Sequence, residues 1–451
     1  MNRLLSKYNI AVPRYTSYPT LPSWYAFENS GRWVDACKKG FLNNREAGIS
    51  LYIHLPFCES LCTYCGCNKK ITTNHSVEGG YIAAILKEWE MYCALAEEPP
   101  VIRELHLGGG TPTFFSPENL DHLLEGIFSS SIIHPDHEFS IEGHPNNTTD
   151  AHLETLSRIG FRRISLGVQD NDAEVQRIIN RIQPFENVQR VTESARIHGF
   201  ESVNFDLIYG LPLQTRSSIE RTIEQCISLK PDRVAFYSYA HVPWTSRAQR
   251  LFDESDLPSA EEKLALYATG KKIFLAHGYH DIGMDHFALP GDKLYKAWCT
   301  GELHRNFMGY TTQKTNMIIG LGVSAISDTG TAFAQNDKLL HNYYQSVEKN
   351  ELPVVKGYFL DSTDTGFRKY ILDTICTGGT KFRADHYDLL RQFTFPRLKE
   401  LASDGLITWD EHGLVVTANG RNFIRNICSA FDLHLLRKES SASEQLYSKA
   451  I

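Results

Sequence analysis

Cys58, Cys62 and Cys65 lie in Tyr52-Ile-His-Leu-Pro-Phe-Cys-Glu-Ser-Leu-Cys-Thr-Tyr-Cys-Gly-Cys67, spaced C-x3-C-x2-C on one short loop. Iron–sulfur clusters are held by Cys thiolates, and a [4Fe–4S] cluster normally takes four. Three thiolates leave one iron open to a ligand from outside the protein. Zinc is the competing occupant, with Cys67 or a nearby His as fourth ligand. Zinc knuckles, however, pair two short Cys units across a longer loop, and no second unit follows here. A disulfide fits less well again. The loop is therefore expected to carry a cluster.

An open iron beside three thiolates resembles the radical S-adenosylmethionine (SAM) superfamily. There the open iron chelates the amine and carboxylate of SAM, and a reduced cluster splits SAM into methionine and a 5′-deoxyadenosyl radical. Other residues fit such a site. Gly108-Gly-Gly110 matches neither a dinucleotide fingerprint nor a phosphate loop with its Lys. Glycine there lets backbone approach a ligand closely, and one strand from the cysteine loop it could cradle the amino group of SAM. Glu142, at a strand end, can accept hydrogen bonds from ribose hydroxyls. Asp206, in an otherwise apolar run, needs a partner because unpaired buried charge is costly; Arg181 is one of several. Arg177, Arg181 and Arg305 are equal candidates for anionic substrate groups, since Arg offers a planar fork to carboxylates. His54, His106, His144, His241 and His286 lie near strand ends and read as packed residues.

The elements that must position these groups are legible in the apolar pattern. Strands are expected at Ile49–Leu55, Glu104–Leu107, His137–Glu142, Arg163–Val168, Asn204–Tyr209 and Arg233–Tyr239. Helices are expected at 79–95, 117–129, 151–160, 184–198 and 216–229. Alternating strands and helices imply a parallel α/β sheet, and six units fit a partial (β/α)6 barrel rather than a closed eight-fold one. Every candidate sits at a C-terminal strand end, the rim where such folds build active sites. The cysteine loop, the triple glycine, Glu142, Gln169, Asp206 and Ala240 should therefore meet at one mouth.

Four regions follow: an N-terminal arm (1–48), the barrel core (49–290), a barrel extension and connector (291–360), and a C-terminal helical, winged-helix-like unit (361–451). The arm, with Pro13-Arg-Tyr-Thr-Ser-Tyr-Pro-Thr20, reads as extended. In the last unit a helix at Phe395–Ala402, a hairpin turning near Glu411–Gly413 and a helix at Gly420–Phe431 are expected. Its basic residues Arg397, Lys399, Arg421 and Arg425 form no stripe, so a structural or substrate-covering module is favoured over nucleic-acid binding. After Arg437 the sequence is a mildly polar tail.

A net charge of −7 and 42% hydrophobic residues describe an ordinary globular chain with no field favouring nucleic acid or anionic membranes. No apolar run could span a bilayer and the start lacks a signal-peptide core, so a cytoplasmic location is expected. Cys37, Cys93, Cys226, Cys299, Cys376 and Cys428 are scattered and read as reduced, buried, small hydrophobes. Nothing demands an oligomer, and a monomer is expected.

Over nearly its whole length the sequence resembles the oxygen-independent coproporphyrinogen III oxidases (coproporphyrinogen dehydrogenases), radical-SAM enzymes of haem biosynthesis. The likeness runs through the Pro13–Thr20 segment, Tyr52–Asn68, Gly108–Thr113, Gly167–Asp170 and Asp206–Pro212. It continues in Gly283–Ala288, Gly309–Gln313, Gly322–Ser327 and Arg425–Cys428. The resemblance implies that Cys58, Cys62 and Cys65 ligate the cluster. Tyr52, Gly108, Glu142, Ala240 and Ile326 would hold the cluster-bound SAM. Tyr64, Gly109, Gly110, Gln169, Arg181 and Asp206 would hold a second SAM. Cys67 matches an additional required cysteine that is not a ligand, and with Tyr52 it is a catalytic candidate. The implied reaction is oxidative decarboxylation of two propionates of coproporphyrinogen III to vinyl groups, giving protoporphyrinogen IX. It needs an electron donor for the cluster and a terminal electron acceptor.

The sequence departs from the family pattern at Gly143-His-Pro-Asn146, at Met308 and at Cys376-Thr-Gly-Gly-Thr380, all bearing on outer substrate contacts. Rival readings are a haem-handling radical-SAM relative (a chaperone or a haem-degrading methyltransferase) and a non-enzymatic cluster- or zinc-binding regulator. The chaperone-like relatives carry Phe where this sequence has Cys67, and they lack the Arg14–Thr20 segment.

Overall fold

Along Phe161–Gln169, Ile164, Leu166 and Val168 are buried in the hydrophobic core, whereas Ser165, Gly167 and Gln169 face a cavity on the other side. Along Ser202–Tyr209 the same period sends Val203, Phe205 and Leu207 to the core and Asp206 and Ile208 to the cavity. Successive strand residues point to opposite faces, so this alternation separates a helix-covered apolar shell from a polar interior. The structure, a computed structural model, describes residues 2–244 and 246–438. The expected polar tail lies outside these from residue 439 on.

Six parallel strands stand side by side in chain order: β1 (Ile49–Leu55), β2 (Val101–Gly109), β3 (Ile132–Gly143), β4 (Phe161–Gln169), β5 (Ser202–Tyr209) and β6 (Arg233–Ser238). Helices α1 (Val77–Cys93), α2 (Pro117–Ser129), α3 (Asp150–Ile159), α4 (Phe185–Ile197) and α5 (Arg216–Ser228) connect them. Capping fixes where several begin: the Ser116, Thr149 and Thr215 side chains each accept a backbone N–H of the first turn. Side chains from β3, β4, β5 and β6 line one cavity, so the sheet curves around it, as a partial (β/α)6 barrel does.

The sheet is longer than six strands. Ile318–Leu321 joins the free edge of β1 in parallel, followed outward by Ile326–Asp328, Ala332–Asn336, Val354–Phe359 and Tyr25–Ala26, all antiparallel. Beyond β6 lie His286–Ala288 and His280–Gly283, also antiparallel. The expected arm is extended only in part. Asn2–Tyr8 and Gly31–Asn43 are helices, the latter burying Trp33, Cys37 and Phe41. Its amphipathic spacing, not the neighbouring prolines, decides its conformation.

In the C-terminal unit the helix Phe395–Ser403 and the hairpin Ile407–Trp409/Gly413–Val416 form as expected, and Gly379–Lys381 adds a third strand. The expected final helix is a short 3-10 turn, Gly420–Phe423, followed by the helix Ile424–Ser429. Arg421 and Arg425 turn inward and donate to backbone carbonyls of Asp281 and Pro13, whereas Arg397 and Lys399 are exposed. Cys299 is exposed and Cys93 only half-buried, against the expectation that both are buried; Cys37, Cys226, Cys376 and Cys428 are buried. Among the described residues no helix is long and apolar enough to cross a membrane.

Candidate active site

The cysteine loop leaves β1 through backbone bonds that anchor both its ends. Gly110 N donates to Leu55 O at 2.9 Å and Thr111 N to Phe57 O at 3.0 Å, while Lys70 N returns to Pro56 O at 2.8 Å. A Cβ on Gly110 would lie 2.5 Å from Pro56 O, so the third glycine is what lets β2 close against the loop. Gly109 has a φ of +118°, which glycine tolerates best.

Cys58, Cys62 and Cys65 all line a cavity of about 420 Å³ with Tyr64, Cys67, Gly109, Gly110, Glu142, Gln169, Arg181 and Asp206. Beside it lies a second cavity of about 280 Å³, lined by Tyr52 and Ile326 and sharing Cys67, Gly109 and Glu142 with the first. Gly108 lies beneath both, its Cβ direction only 3.0 Å from the Tyr52 ring and 3.2 Å from the Glu142 carboxyl. Ala240 lines neither cavity. Its carbonyl accepts from Gln249 Nε2, which also donates to Tyr64 O at 2.8 Å, placing Ala240 behind the cysteine loop.

The thiols are surrounded by donors. Thr111 Oγ1 lies 3.3 Å from Cys58 Sγ, and Arg181 Nη1 lies 3.7 Å from Cys62 Sγ. The adjacent Cys67 thiol holds Cys65 below the usual thiol range, and Lys69, whose Nζ donates to Cys65 O at 3.0 Å, reinforces the effect. Arg181 reaches Cys62 because Gly167 has no side chain, and it donates to Gly167 O while its Nε is buried without a partner.

The two carboxylates are tuned in opposite directions. Burial pushes Glu142 up, but His106 at 3.4 Å and Gly109 N–H at 3.2 Å outweigh it and leave the carboxyl below its ordinary value. His106 is itself oriented by Ser140 at 2.7 Å and stacks on Tyr52. Burial lifts Asp206 to about 6 against the hydrogen bonds it accepts from Ser165 at 2.8 Å and Asn204 at 2.9 Å. Those two are its partners, and Arg181, one of several suggested from sequence, is not. Sequence reasoning also missed Ser165, Thr111 and Tyr237. Two-residue alternation along β4 and β6 would have placed Ser165 and Tyr237 on the cavity face.

Residues 52–226 match the radical SAM superfamily family model. The chain is 38% identical to the oxygen-independent coproporphyrinogen III oxidase of Pseudomonas aeruginosa over 99% of its own length and 98% of that protein. It is 39% identical to the Escherichia coli enzyme of the same name, again over 99% and 98%. A solved structure of the Escherichia coli coproporphyrinogen III oxidase, described there as a radical SAM enzyme, superposes with a TM-score of 0.88. That match has 39% identity and spans 93% of this chain and 97% of the other. The chain belongs to the oxygen-independent coproporphyrinogen III oxidase family.

A radical-SAM member of this family carries a [4Fe–4S] cluster and uses SAM, and the donor set fits both. Three thiols free of disulfides share one cavity, with Thr111, Arg181 and Lys69 placed to offset thiolate charge. Thiolate is the metal-binding form of cysteine. The orphaned Arg181 Nε, the glycine edge of β2 and two carboxylates supply polar groups for a ligand with both cationic and anionic parts, as SAM is.

Proposed function

We propose that this chain converts two propionate side chains of coproporphyrinogen III to vinyl groups by oxidative decarboxylation, yielding protoporphyrinogen IX. The observation that carries the reading is the pair of adjoining cavities sharing Glu142 and Cys67, with the three thiols on one wall. Cys58, Cys62 and Cys65 hold the cluster. Tyr52, Gly108, Glu142, Ala240 and Ile326 serve the cluster-bound SAM. Tyr64, Gly109, Gly110, Gln169, Arg181 and Asp206 serve a second SAM in the larger cavity.

When bound, the cluster and SAM would supply the chemistry that removes a hydrogen atom from the propionate β-carbon. The substrate then releases CO2 and passes one electron to an external acceptor. The chain's own part is to position and to exclude water. His106 holds Glu142 ionised, as an acceptor for ribose hydroxyls. The Gly109–Gly110 edge offers backbone, and Tyr52 packs on His106. Cys67, beside Cys65 but not a ligand, is placed to act on bound substrate or SAM.

The arm (1–48), core (49–290), extension (291–360) and C-terminal unit (361–451) work as one cytoplasmic, monomeric enzyme without nucleic-acid or membrane partners. It relies on a separate reductant for the cluster and a separate electron acceptor. The test is an anaerobic assay of reconstituted protein with SAM, a low-potential reductant and coproporphyrinogen III. Protoporphyrinogen IX and 5′-deoxyadenosine are quantified together, and both should be lost in Cys62→Ala. Deoxyadenosine without porphyrin product would replace the oxidase reading with a haem-handling one.

A further inference from the structure

Arg305, on the short strand His304–Asn306, is only 6% exposed, and its guanidinium lies 5.0 Å over the Tyr310 ring. Its Nε and Nη1 are sealed from solvent and have no hydrogen-bond partner. Among the described residues one other arginine is buried as deeply, Arg233, and Asp292 holds it at 2.7 Å. Arg305 forms no salt bridge with a described residue; Asp285, an acid near enough to feel its charge, has its ion pair with Arg14 at 3.9 Å. Burying a charge whose hydrogen-bonding groups are left unmet is costly, so Arg305 has capacity for an anion that arrives with a ligand.

The surroundings point to which ligand. Tyr310 meets His286 edge-on at 5.2 Å, His286 meets Tyr237 at 5.7 Å, and Tyr237 lines the larger cavity beside Asp206. Phe307 and Met308, the next residues after Asn306, line the smaller cavity. His286 Nδ1 is likewise enclosed and unpartnered. Arg305 itself lines neither cavity; it stands behind them, reached through the Tyr237–His286–Tyr310 rings on one side and the Phe307–Met308 segment on the other. Of the other two arginines suggested from sequence, Arg177 is exposed and Arg181 is engaged by Gly167 O and Cys62.

We propose that Arg305 is the receptor for a substrate carboxylate, and that this carboxylate belongs to a propionate the reaction leaves in place. A guanidinium fork matches a carboxylate with two parallel N–H bonds. Holding the reacting propionate that way would stabilise the charge it must shed as neutral CO2, favouring ground state over transition state. Holding a retained propionate instead fixes the rotation of the macrocycle without opposing decarboxylation. This assignment rests on the oxidase reading.

The test titrates reconstituted holoenzyme anaerobically with coproporphyrin III, the fluorescent oxidised form of the substrate, and with its tetramethyl ester and protoporphyrin IX. Arg305→Leu should weaken coproporphyrin III binding roughly 10- to 100-fold, the loss of a charged hydrogen-bonded pair. Protoporphyrin IX, which keeps the unreacted propionates, should lose by the same factor, and the ester by none. Melting temperature should not fall, since an unpaired buried charge is removed, and Arg305→Lys, which keeps charge but not the fork, should weaken binding less. Equal affinity of wild type and Arg305→Leu for the free acid overturns the assignment. If the Leu variant fails to fold, wild-type affinity in the Lys variant does so. A loss for coproporphyrin III but not for protoporphyrin IX overturns the retained-propionate part. Wild-type holoenzyme that neither binds nor converts coproporphyrinogen III would sink the oxidase reading itself, whereas conversion with Arg305-independent binding sinks only the Arg305 assignment.

Discussion

Asp206 shows how the barrel interior sets chemistry through burial. Its carboxyl is half-buried, accepts one hydrogen bond each from Ser165 and Asn204, and is pushed up to about 6 from 3.8. An acid whose folded value exceeds its unfolded value holds its proton longer in the native state, so between about 4 and 6 folding takes up a proton. The sign follows: this group favours folding at low pH, and that contribution is lost as pH rises through about 6. With a rise of about two units, the difference is about 3 kcal/mol. Asp206→Asn should therefore stabilise cluster-free protein at pH 7 relative to wild type, with about a third of that gain left at pH 4.5, as read by urea unfolding at both values. A gap between variant and wild type that does not change with pH would refute this. Asp170, also pushed up to about 6, titrates in both proteins and cancels in the comparison. The sequence carried the identity of Asp206 but not its partners. Gly167 lies opposite Asp206 in the β4–β5 ladder, and that register sets Ser165 two residues along on the same face. For the same reason three arginines looked alike in the sequence, and burial and partner geometry separate them.

At the scale of elements, the glycine edge of β2 and the root of the cysteine loop are a single piece of backbone packing. The Gly110 Cβ direction meets Pro56 O at 2.5 Å and Phe57 O at 3.0 Å, both backbone atoms with little room to move. Gly110→Ala should push β2 off the loop, costing about 1–3 kcal/mol as overpacking does and loosening the root that presents Cys58. Iron and sulfide content after reconstitution should fall by more than half, roughly a 1 kcal/mol effect or greater, while Gly66→Ala, which meets nothing within 4 Å, should keep full content. Equal cluster content in the two variants would show that the glycine edge serves only the ligand. The six core strands and five helices were readable because each buries one face, and that periodicity survives in the sequence. The strands outside the core were not readable. Ile326–Asp328 and Gly379–Lys381 have three residues each, too few for alternation to register, and they are strands because a neighbour offers an open edge. The helix Gly31–Asn43 was obscured by the proline-rich stretch before it.

Across the whole molecule, the N-terminal segment joins two hydrophobic cores. The barrel core is built from the strands and their helices, whereas Tyr8, Tyr15 and Tyr18 are buried in a second core that the C-terminal residues share with Ile282, Ala288, Leu294, Leu303 and Tyr310. Each tyrosine ends on a polar partner there: Tyr8 OH donates to Asp404 at 2.6 Å, Tyr15 OH to Asp432 at 3.2 Å, and Tyr18 OH accepts Leu433 N at 3.2 Å. Between them Arg14 donates to Ser238 O at 3.0 Å, at the C-terminal end of β6, and Arg425 donates to Pro13 O at 3.2 Å. The segment therefore fastens the C-terminal unit to the barrel rim beside the candidate site, which a reading of it as a surface wrap would not require. Removing residues 1–20 strips three aromatic side chains from the second core at roughly 1.5–3 kcal/mol each, while the β1–β6 core and cysteine loop keep their own packing. The truncated protein should reconstitute its cluster, lose coproporphyrinogen turnover, and be cleaved by trypsin within 361–438 at a protein concentration where the full chain resists. Arg14→Ala should retain protease resistance but lower turnover, because it loosens the rim contact without emptying the core. A truncated chain as protease-resistant as the full one would mean that the C-terminal unit docks on the barrel through its own contacts, and that the N-terminal segment serves only the mouth of the cavity.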